Sequence, residues 1–325
     1  MVKRPTAPVA PTAPVTPVAP VAPVAPVAPA ALFTARPSRS RLLRLLVPLG
    51  AVPLCALSLS SCTQGTPAPP TGPSAAPPTP LLSAAPHEPA QRQERIAPLP
   101  VPAARLARLP AATTYATLRR APRDPDPFRP VDGLVVHPRR EQVIYARPGG
   151  PPVGVLPPTQ LAGPTWVPVV ERLPGWDRVL LPSRPNRSTG WLYTGGGGVR
   201  VVRSTYRVEV GLAARRLTVF DGDREVGSWP VAVGAPGTPT PRGRTFLLAS
   251  LAPTPATYSP LFLALGAHSG TLRTFEGGPG TIALHGWPDR TAFGRAVSHG
   301  CVRVPAAALR LLSTIPLGSP VLITG

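Results

Sequence analysis

The sequence predicts a mainly β protein, with two small β domains behind a long leader. Three observations carry that expectation. Pro accounts for 52 of 325 residues, far above the usual ~5%, and most of the excess lies in the first third. From about residue 130 onward, short apolar runs alternate with Gly- and Pro-rich turns, which is strand spacing rather than helix spacing. Only one late stretch, residues 306–313, has the Ala/Leu density of a helix. The length leaves room for two modest domains plus extensions.

Residues 1–62 read as leader and export signal. Ala-Pro-Val units repeat over residues 5–30, a composition that favours extended polyproline II and cannot build a packed core. Arg36, Arg39, Arg41 and Arg44 then precede a short apolar run that ends in small residues, the pattern of a secretory signal. Pro48 and Pro53 break that run, so it is a poor spanning helix. Leu59-Ser60-Ser61-Cys62 resembles a lipobox, which implies lipidation at Cys62, a membrane lipid anchor, and a place at the outer face of the cytoplasmic membrane or in the cell wall. An ordinary cleaved signal and an uncleaved anchor are the alternatives. The signal begins unusually far from Met1, which a downstream translation start would explain.

Residues 63–127 are rich in Pro, Ala, Thr and Arg and read as a mostly disordered tether, with room for a short helix within 103–120. Residues 128–197 read as the first domain. Its strands are expected at residues 134–136, 142–145, 166–170, 176–181 and 190–193. Ala146-Arg147-Pro148-Gly149, Gly175-Trp176-Asp177-Arg178-Val179 and Gly190-Trp191-Leu192 resemble the bacterial SH3-like wall domains, which implies a small β-barrel with tryptophans in its core or groove. Gly195 to Gly198 read as a flexible joint. Residues 198–325 form the second domain. Strands are expected at 200–210, 216–220, 225–233, 245–249, 261–265, 281–284 and 321–323, with a tight Asp221-Gly222 turn.

Charge and composition exclude several chemistries. The formal charge is +20, and Lys3 is the only lysine, so the basicity is almost all arginine. That leaves no P-loop lysine, no Schiff base and no S-x-x-K set after residue 3. A basic surface suits an anionic wall polymer or membrane. No basic helix, zinc module or RNA motif accompanies the charge, so nucleic acid is not an expected partner.

The chemistry concentrates in residues 282–304, IALHGWPDRTAFGRAVSHGCVRV. An apolar run, Ile282-Ala283-Leu284, delivers His285 to a strand end, and the chain returns as Ser298-His299-Gly300-Cys301 before Val302-Arg303-Val304. Cys301 could be a small buried hydrophobe, or one zinc ligand with His285 and His299, although no fourth ligand is evident. It could also be a nucleophile whose proton a histidine accepts or holds as an ion pair. A Gly before a nucleophile lets backbone N–H groups approach a developing oxyanion, which favours the last reading. If Cys55 leaves with the signal and Cys62 carries lipid, Cys301 is the one free thiol of an exported protein.

His285-Gly286 followed by Ser298-His299-Gly300-Cys301-Val302-Arg303 closely resembles the signature of the bacterial YkuD-type L,D-transpeptidases. Residues 234–243, GAPGTPTPRG, resemble that family's G-x-P-x-T-P-x-G turn, and residues 206–210 and 216–220 resemble its opening strands. The resemblance implies a β-sandwich-like catalytic domain with a short helix, and a cysteine acyltransferase that needs no metal or cofactor. A peptidoglycan stem peptide would acylate Cys301 and pass to the amine of a neighbouring stem, giving a 3→3 cross-link. β-Lactams of the carbapenem type would inhibit it.

On this reading Cys301 is the nucleophile, with its pKa held below the free value of roughly 8.5, and His285 is the base, oriented by the Gly286 carbonyl. His299 supports the site, and the Gly300 and Cys301 N–H groups are oxyanion donors. Arg303 suits a substrate carboxylate, with a structural ion pair as its other reading. Ser298 either bonds near the site or caps the turn, and Tyr258 sits in a Pro-rich segment read as a lid. With water as acceptor the same site is an L,D-carboxypeptidase. A non-catalytic wall-binding lipoprotein is the non-enzymatic alternative. A sortase-like enzyme has a longer His–Cys spacing, and papain-like peptidases place Cys before His.

Overall fold

The structure, a computed structural model, describes residues 95–325. The expected leader and export signal, Cys62 and the first half of the expected tether lie outside the described residues. What is described falls within one compact unit and is mainly β.

The first sheet is antiparallel throughout. It contains β1 (Leu134–Pro138), β2 (Gln142–Tyr145), β3 (Pro152–Leu156), β6 (Val167–Leu173), β7 (Trp176–Leu180), β8 (Thr189–Tyr193) and β9 (Val199–Arg203), with β4 (Thr159–Gln160) and β5 (Gly163–Pro164) as a separate two-residue ribbon. The order across it is β3-β2-β8-β7-β6-β1-β9. Two of its strands were not expected from the sequence. β3 is buried at all five positions, so it lacks the alternation by which strands are read. β9 is distinct from the strand after it, where the sequence predicts a single strand over 200–210. It pairs with β1 over five residues, from Leu134 opposite Arg203 to Pro138 opposite Val199. The glycines at 195–198 are therefore a turn within the first sheet, not a joint between domains. The change of sheet comes at Ser204, whose N–H donates to Gly133 O at 2.8 Å and whose hydroxyl accepts from Tyr206 N–H at 3.2 Å.

Trp176 is 1% exposed, and its ring meets Tyr145 and Tyr193 edge-on at 5.3 Å each. Trp191 is buried with it, whereas Trp166 is half-buried under His137.

The second half of the expected tether, residues 95–127, is not a tether. Trp176 Nε1 donates to Ile96 O at 2.7 Å, and the Tyr145 hydroxyl donates to Leu99 O at 3.0 Å. One helical turn, α1 (Ala103–Leu106), is all that forms of the expected helix. Residues 110–124 then run along the domain. Ala112 N–H donates to Val155 O at 2.7 Å, which closes the free edge of β3. Ala112, Leu118 and Ala121 are buried in the core of the first sheet. The Pro-rich composition misled because these residues take their backbone partners from distant strands and need no regular structure of their own.

The second sheet contains β10 (Tyr206–Gly211), β11 (Arg216–Asp221), β12 (Arg224–Pro230), β14 (Gly243–Leu251), β15 (Phe262–His268), β16 (Thr281–Gly286), β18 (Val302–Val304) and β19 (Pro320–Thr324). Its order is β12-β11-β10-β19-β14-β15-β16-β18, with β10/β19 and β16/β18 parallel. β13 (Val233–Gly234) and β17 (Ala296–Ser298) pair separately. The helix α2 (Ala306–Leu312) buries Ala308, Leu309 and Leu312 on one face. Strand β14 explains how the two sheets hold together. Side chains alternate along a strand, so Leu247 enters the core of the second sheet while Phe246 and Leu248 enter the core built on the first. Each buried side chain of that size contributes roughly 1.5–3 kcal/mol.

Candidate active site

Strand pairing brings the signature residues together. β16 lies between β15 and β18, with Phe262 opposite His285 on one side and Arg303 opposite His285 on the other. Period-two alternation sends Leu284 into the core and turns Ala283 and His285 to the other face. There they line a cavity of about 280 Å³ together with Tyr258, Cys301 and Arg303. Ser298 and His299 also border it.

The Cys301 turn is built by side chains from residues 234–243. Thr238 Oγ1 donates to Ser298 O at 2.9 Å, and Thr240 Oγ1 donates to Gly300 O at 2.8 Å while accepting from Gly234 N–H at 2.9 Å. The motif quoted in the sequence thus scaffolds the Cys301 turn, a role its spacing did not reveal. Gly300 sits at φ 118, in the region that favours glycine, and a Cβ there would lie 3.0 Å from Ile282 Cδ1. Ser298 Oγ donates to Cys301 O at 2.5 Å and accepts from Gly300 N–H at 3.1 Å. The Gly300 N–H, expected as an oxyanion donor, is therefore engaged by Ser298, which leaves the Cys301 N–H from that pair. Ser298 is a brace of the turn.

His285 is 4% exposed, and its Nδ1 lies 2.9 Å from Gly286 O. A carbonyl only accepts, so Nδ1 carries the proton of the neutral ring and Nε2 keeps the lone pair. Ser259, which the sequence did not single out, holds this arrangement. Its hydroxyl accepts from Gly286 N–H at 2.8 Å and donates to Leu261 O at 2.7 Å. Phe262 stacks on the His285 ring at 5.1 Å, and Tyr258 meets it edge-on at 5.5 Å. His299 is exposed, with its ring 5.6 Å from Phe275. Among the described residues, no three His, Cys, Asp or Glu side chains are grouped as metal ligands.

Arg303 carries its guanidinium 3.5 Å above the Trp287 ring. None of the salt bridges among the described residues involves it, so the structural ion pair is not formed and the cation stands at the cavity without a carboxylate.

Burial sets the protonation states. It pushes the Cys301 thiol up, against the opposing pull of the Ala283 N–H 3.4 Å from Sγ and of Arg303, with Glu276 adding to the rise. Part of the residue remains open to the cavity, so water tempers this rise without reversing it. Burial likewise pushes His285 down, the Gly286 carbonyl opposes, and Arg303 adds to the lowering. The expected low thiol pKa is thus corrected. Both directions favour the uncharged forms, a thiol and a neutral imidazole, because burial penalises each charge. Such a site suits proton transfer during attack rather than a preformed thiolate.

Residues 205–323 match the YkuD family, described as the L,D-transpeptidase catalytic domain. The chain is 34% identical over 121 residues to the YkuD protein of Bacillus licheniformis, a match covering 37% of this chain and 66% of that relative. It is 28% identical over 119 residues to the Bacillus subtilis YkuD protein, covering 36% and 65% respectively. The chain thus spans just under two thirds of the length of these curated relatives. Among solved structures, L,D-transpeptidase 3 of Mycobacterium tuberculosis, in complex with a faropenem-derived adduct, is similar at 14% identity and a TM-score of 0.32, covering 44% of this chain and 75% of that one. Residues 205–323 of this chain are thus similar, over that span, to the L,D-transpeptidase catalytic domain of the YkuD family.

Proposed function

We propose that the protein is a peptidoglycan L,D-transpeptidase that forms 3→3 cross-links through a thioester on Cys301. The observation that carries this reading is the 2.9 Å contact between His285 Nδ1 and Gly286 O. With Nδ1–H tied to Gly286 O, Nε2 is the basic nitrogen in the cavity that Cys301 also lines. Cys301 Sγ attacks the carbonyl of the third stem residue as Nε2 takes the thiol proton. The Cys301 N–H faces the developing oxyanion. The C–N bond to terminal D-alanine breaks, and the imidazolium returns its proton to the leaving amine. The amine of a second stem then attacks the thioester and loses its proton to Nε2, and the sulfur leaves and is reprotonated. Arg303 holds a stem carboxylate.

A second cavity, of about 420 Å³, adjoins the first and shares Tyr258 and Trp287 with it. Placing the acceptor stem in this second cavity favours transfer to an amine over hydrolysis to the L,D-carboxypeptidase product. The protein would act in the cell wall, anchored by lipid on Cys62, with the first domain as an SH3-like wall-facing module. Cys62→Ser should then release it from membranes, and unchanged retention would point to an uncleaved anchor.

The deciding experiment is intact-protein mass spectrometry with a carbapenem, alongside product analysis on disaccharide-tetrapeptide. The expected outcome is one adduct on the wild type, none on Cys301→Ala, and a 3→3 dimer as product. An adduct retained by Cys301→Ala would sink the nucleophile assignment.

A further inference from the structure

One wall of the cavity over Cys301 is held from outside the catalytic domain. Residues 269–280 supply that wall, with Leu272, Phe275 and Glu276 lining the space. Arg184, in the loop between β7 and β8 of the first sheet, reaches across to three backbone carbonyls of this segment. Its Nη1 donates to Ser269 O at 3.1 Å, and its Nη2 donates to Leu272 O at 3.2 Å and to Pro279 O at 2.9 Å. One guanidinium thus ties the two ends of the segment together. Two residues on, Asn186 takes both backbone groups of His268, donating from Nδ2 to the carbonyl at 2.6 Å and accepting the N–H on Oδ1 at 2.8 Å. Gly280 marks the same junction. A Cβ there would sit 2.3 Å from Leu272 O and 3.2 Å from Arg184 Nη2.

Arg184 forms no salt bridge among the described residues, and the nearby charge acting on it is the like charge of Arg273. Its planar fork is engaged by the carbonyls of this segment instead. Among the described residues, Glu276 is the only acid lining the cavity, and it shares that space with the Arg303 cation. The position of the wall therefore sets the spacing of two opposite charges around the thiol.

We propose that Arg184 is a positioning residue for acyl transfer. By joining Ser269, Leu272 and Pro279 it fixes the wall that carries Phe275 and Glu276, so that the first domain completes a pocket for a peptide bearing both an ammonium and a carboxylate group. The inference rests on the acyl-transfer reading above. Loss of the fork leaves three carbonyls without their donor and lets the wall drift, which weakens substrate placement more than it alters the thiol.

The test uses the full chain as wild type, Arg184→Ala, Arg184→Lys and Arg187→Ala. Arg187 makes a comparable reach to Arg242 O, away from the cavity, and serves as the control for domain contact alone. Disaccharide-tetrapeptide KM and kcat are measured, together with the rate of Cys301 alkylation by iodoacetamide. Arg184→Ala is expected to raise KM by about tenfold or more, with alkylation within about twofold of wild type. Arg187→Ala should keep the wild-type KM. Arg184→Lys keeps the charge without the fork and should fall between. If Arg184→Ala does not fold, the lysine variant carries the test, and a wild-type KM in it overturns the inference. So does a wild-type KM in Arg184→Ala, or an equal loss in Arg187→Ala. A wild-type protein that neither turns over the peptide nor is acylated by a carbapenem overturns the acyl-transfer reading and this inference with it.

Discussion

Two buried histidines on neighbouring strands make an instructive comparison. His285 on β16 and His268 on β15 are 4% and 0% exposed, and burial lowers the pKa of both. They differ in which nitrogen is engaged. His268 Nε2 lies 2.7 Å from Thr114 O and 3.0 Å from Thr114 Oγ1, and its Nδ1 is buried without a partner. His285 engages Nδ1 with the carbonyl of its own neighbour, and its ring borders an open cavity. The regions around them repeat the contrast. At the junction between the sheets, polar groups are closed on one another: Asp124 holds Arg244 through two hydrogen bonds of 2.7 Å, and Thr114 Oγ1 meets Thr281 Oγ1 at 2.6 Å. At the site, the thiol and the guanidinium both face the cavity. Burial alone does not make a base; a free nitrogen facing an accessible space does.

The largest expected effect tests that contrast directly. His285→Ala should lower carbapenem acylation of Cys301 by about 10²–10⁴-fold, the usual contribution of a general base. His268→Gln should leave acylation near wild type once the protein is folded. Equal losses in stopped-flow acylation would erase the distinction between the two rings.

The junction should answer in stability instead. Asp124→Ala leaves Arg244, whose side chain is 4% exposed, without its carboxylate, and should cost about 3–5 kcal/mol in urea unfolding. A loss under about 1 kcal/mol would mean that the pair behaves like a surface bridge.

The third test uses pH. Burial lowers the His268 pKa to about 4, against the ordinary histidine value of 6.5. The unfolded chain therefore binds a proton that the folded chain refuses. Stability is full above the unfolded value and falls as pH drops from 6.5 to 4, by on the order of 3 kcal/mol. His285 is shifted the same way and adds to the same slope. His268→Gln should flatten the dependence of the urea midpoint on pH in this window, and a slope unchanged by the substitution would remove His268 as its source.

The smallest effect concerns the resting thiol. With a neutral pair, Cys301 alkylation should keep rising beyond the free-thiol range of roughly 8.5, and His285→Ala and His299→Ala should shift that profile little. A wild-type midpoint well below that value, raised by His285→Ala, would restore the ion pair.

Much of the site was legible because it is local. The run Ile282-Ala283-Leu284 predicts the buried strand under His285, and Gly300 before Cys301 predicts a turn that only glycine fits. Thr238 and Thr240 were visible as part of a motif but not as braces, because their partners Ser298 and Gly300 are each 60 residues away. Ser259 and Arg184 carried no sequence signal, since a serine after a tyrosine and an arginine among many are ordinary.

The sequence by itself determined the central residues of every strand of the second sheet except β18, the glycine before Cys301 and the class of chemistry available to a thiol in a chain almost without lysine. Periodicity, turn residues and side-chain inventory are properties of neighbours along the chain. Tertiary structure alone decided that β9 belongs to the first sheet, that residues 95–127 are tied to distant strands, that the Gly300 N–H is engaged and that burial pushes the thiol pKa up. Each of these depends on where a hydrogen-bond partner or a desolvating surface comes from. The Asp124–Arg244 and Thr114–Thr281 contacts span 120 and 167 residues. Contacts of that range cannot be read from local pattern, because the fold that brings them together is formed by every other residue as well.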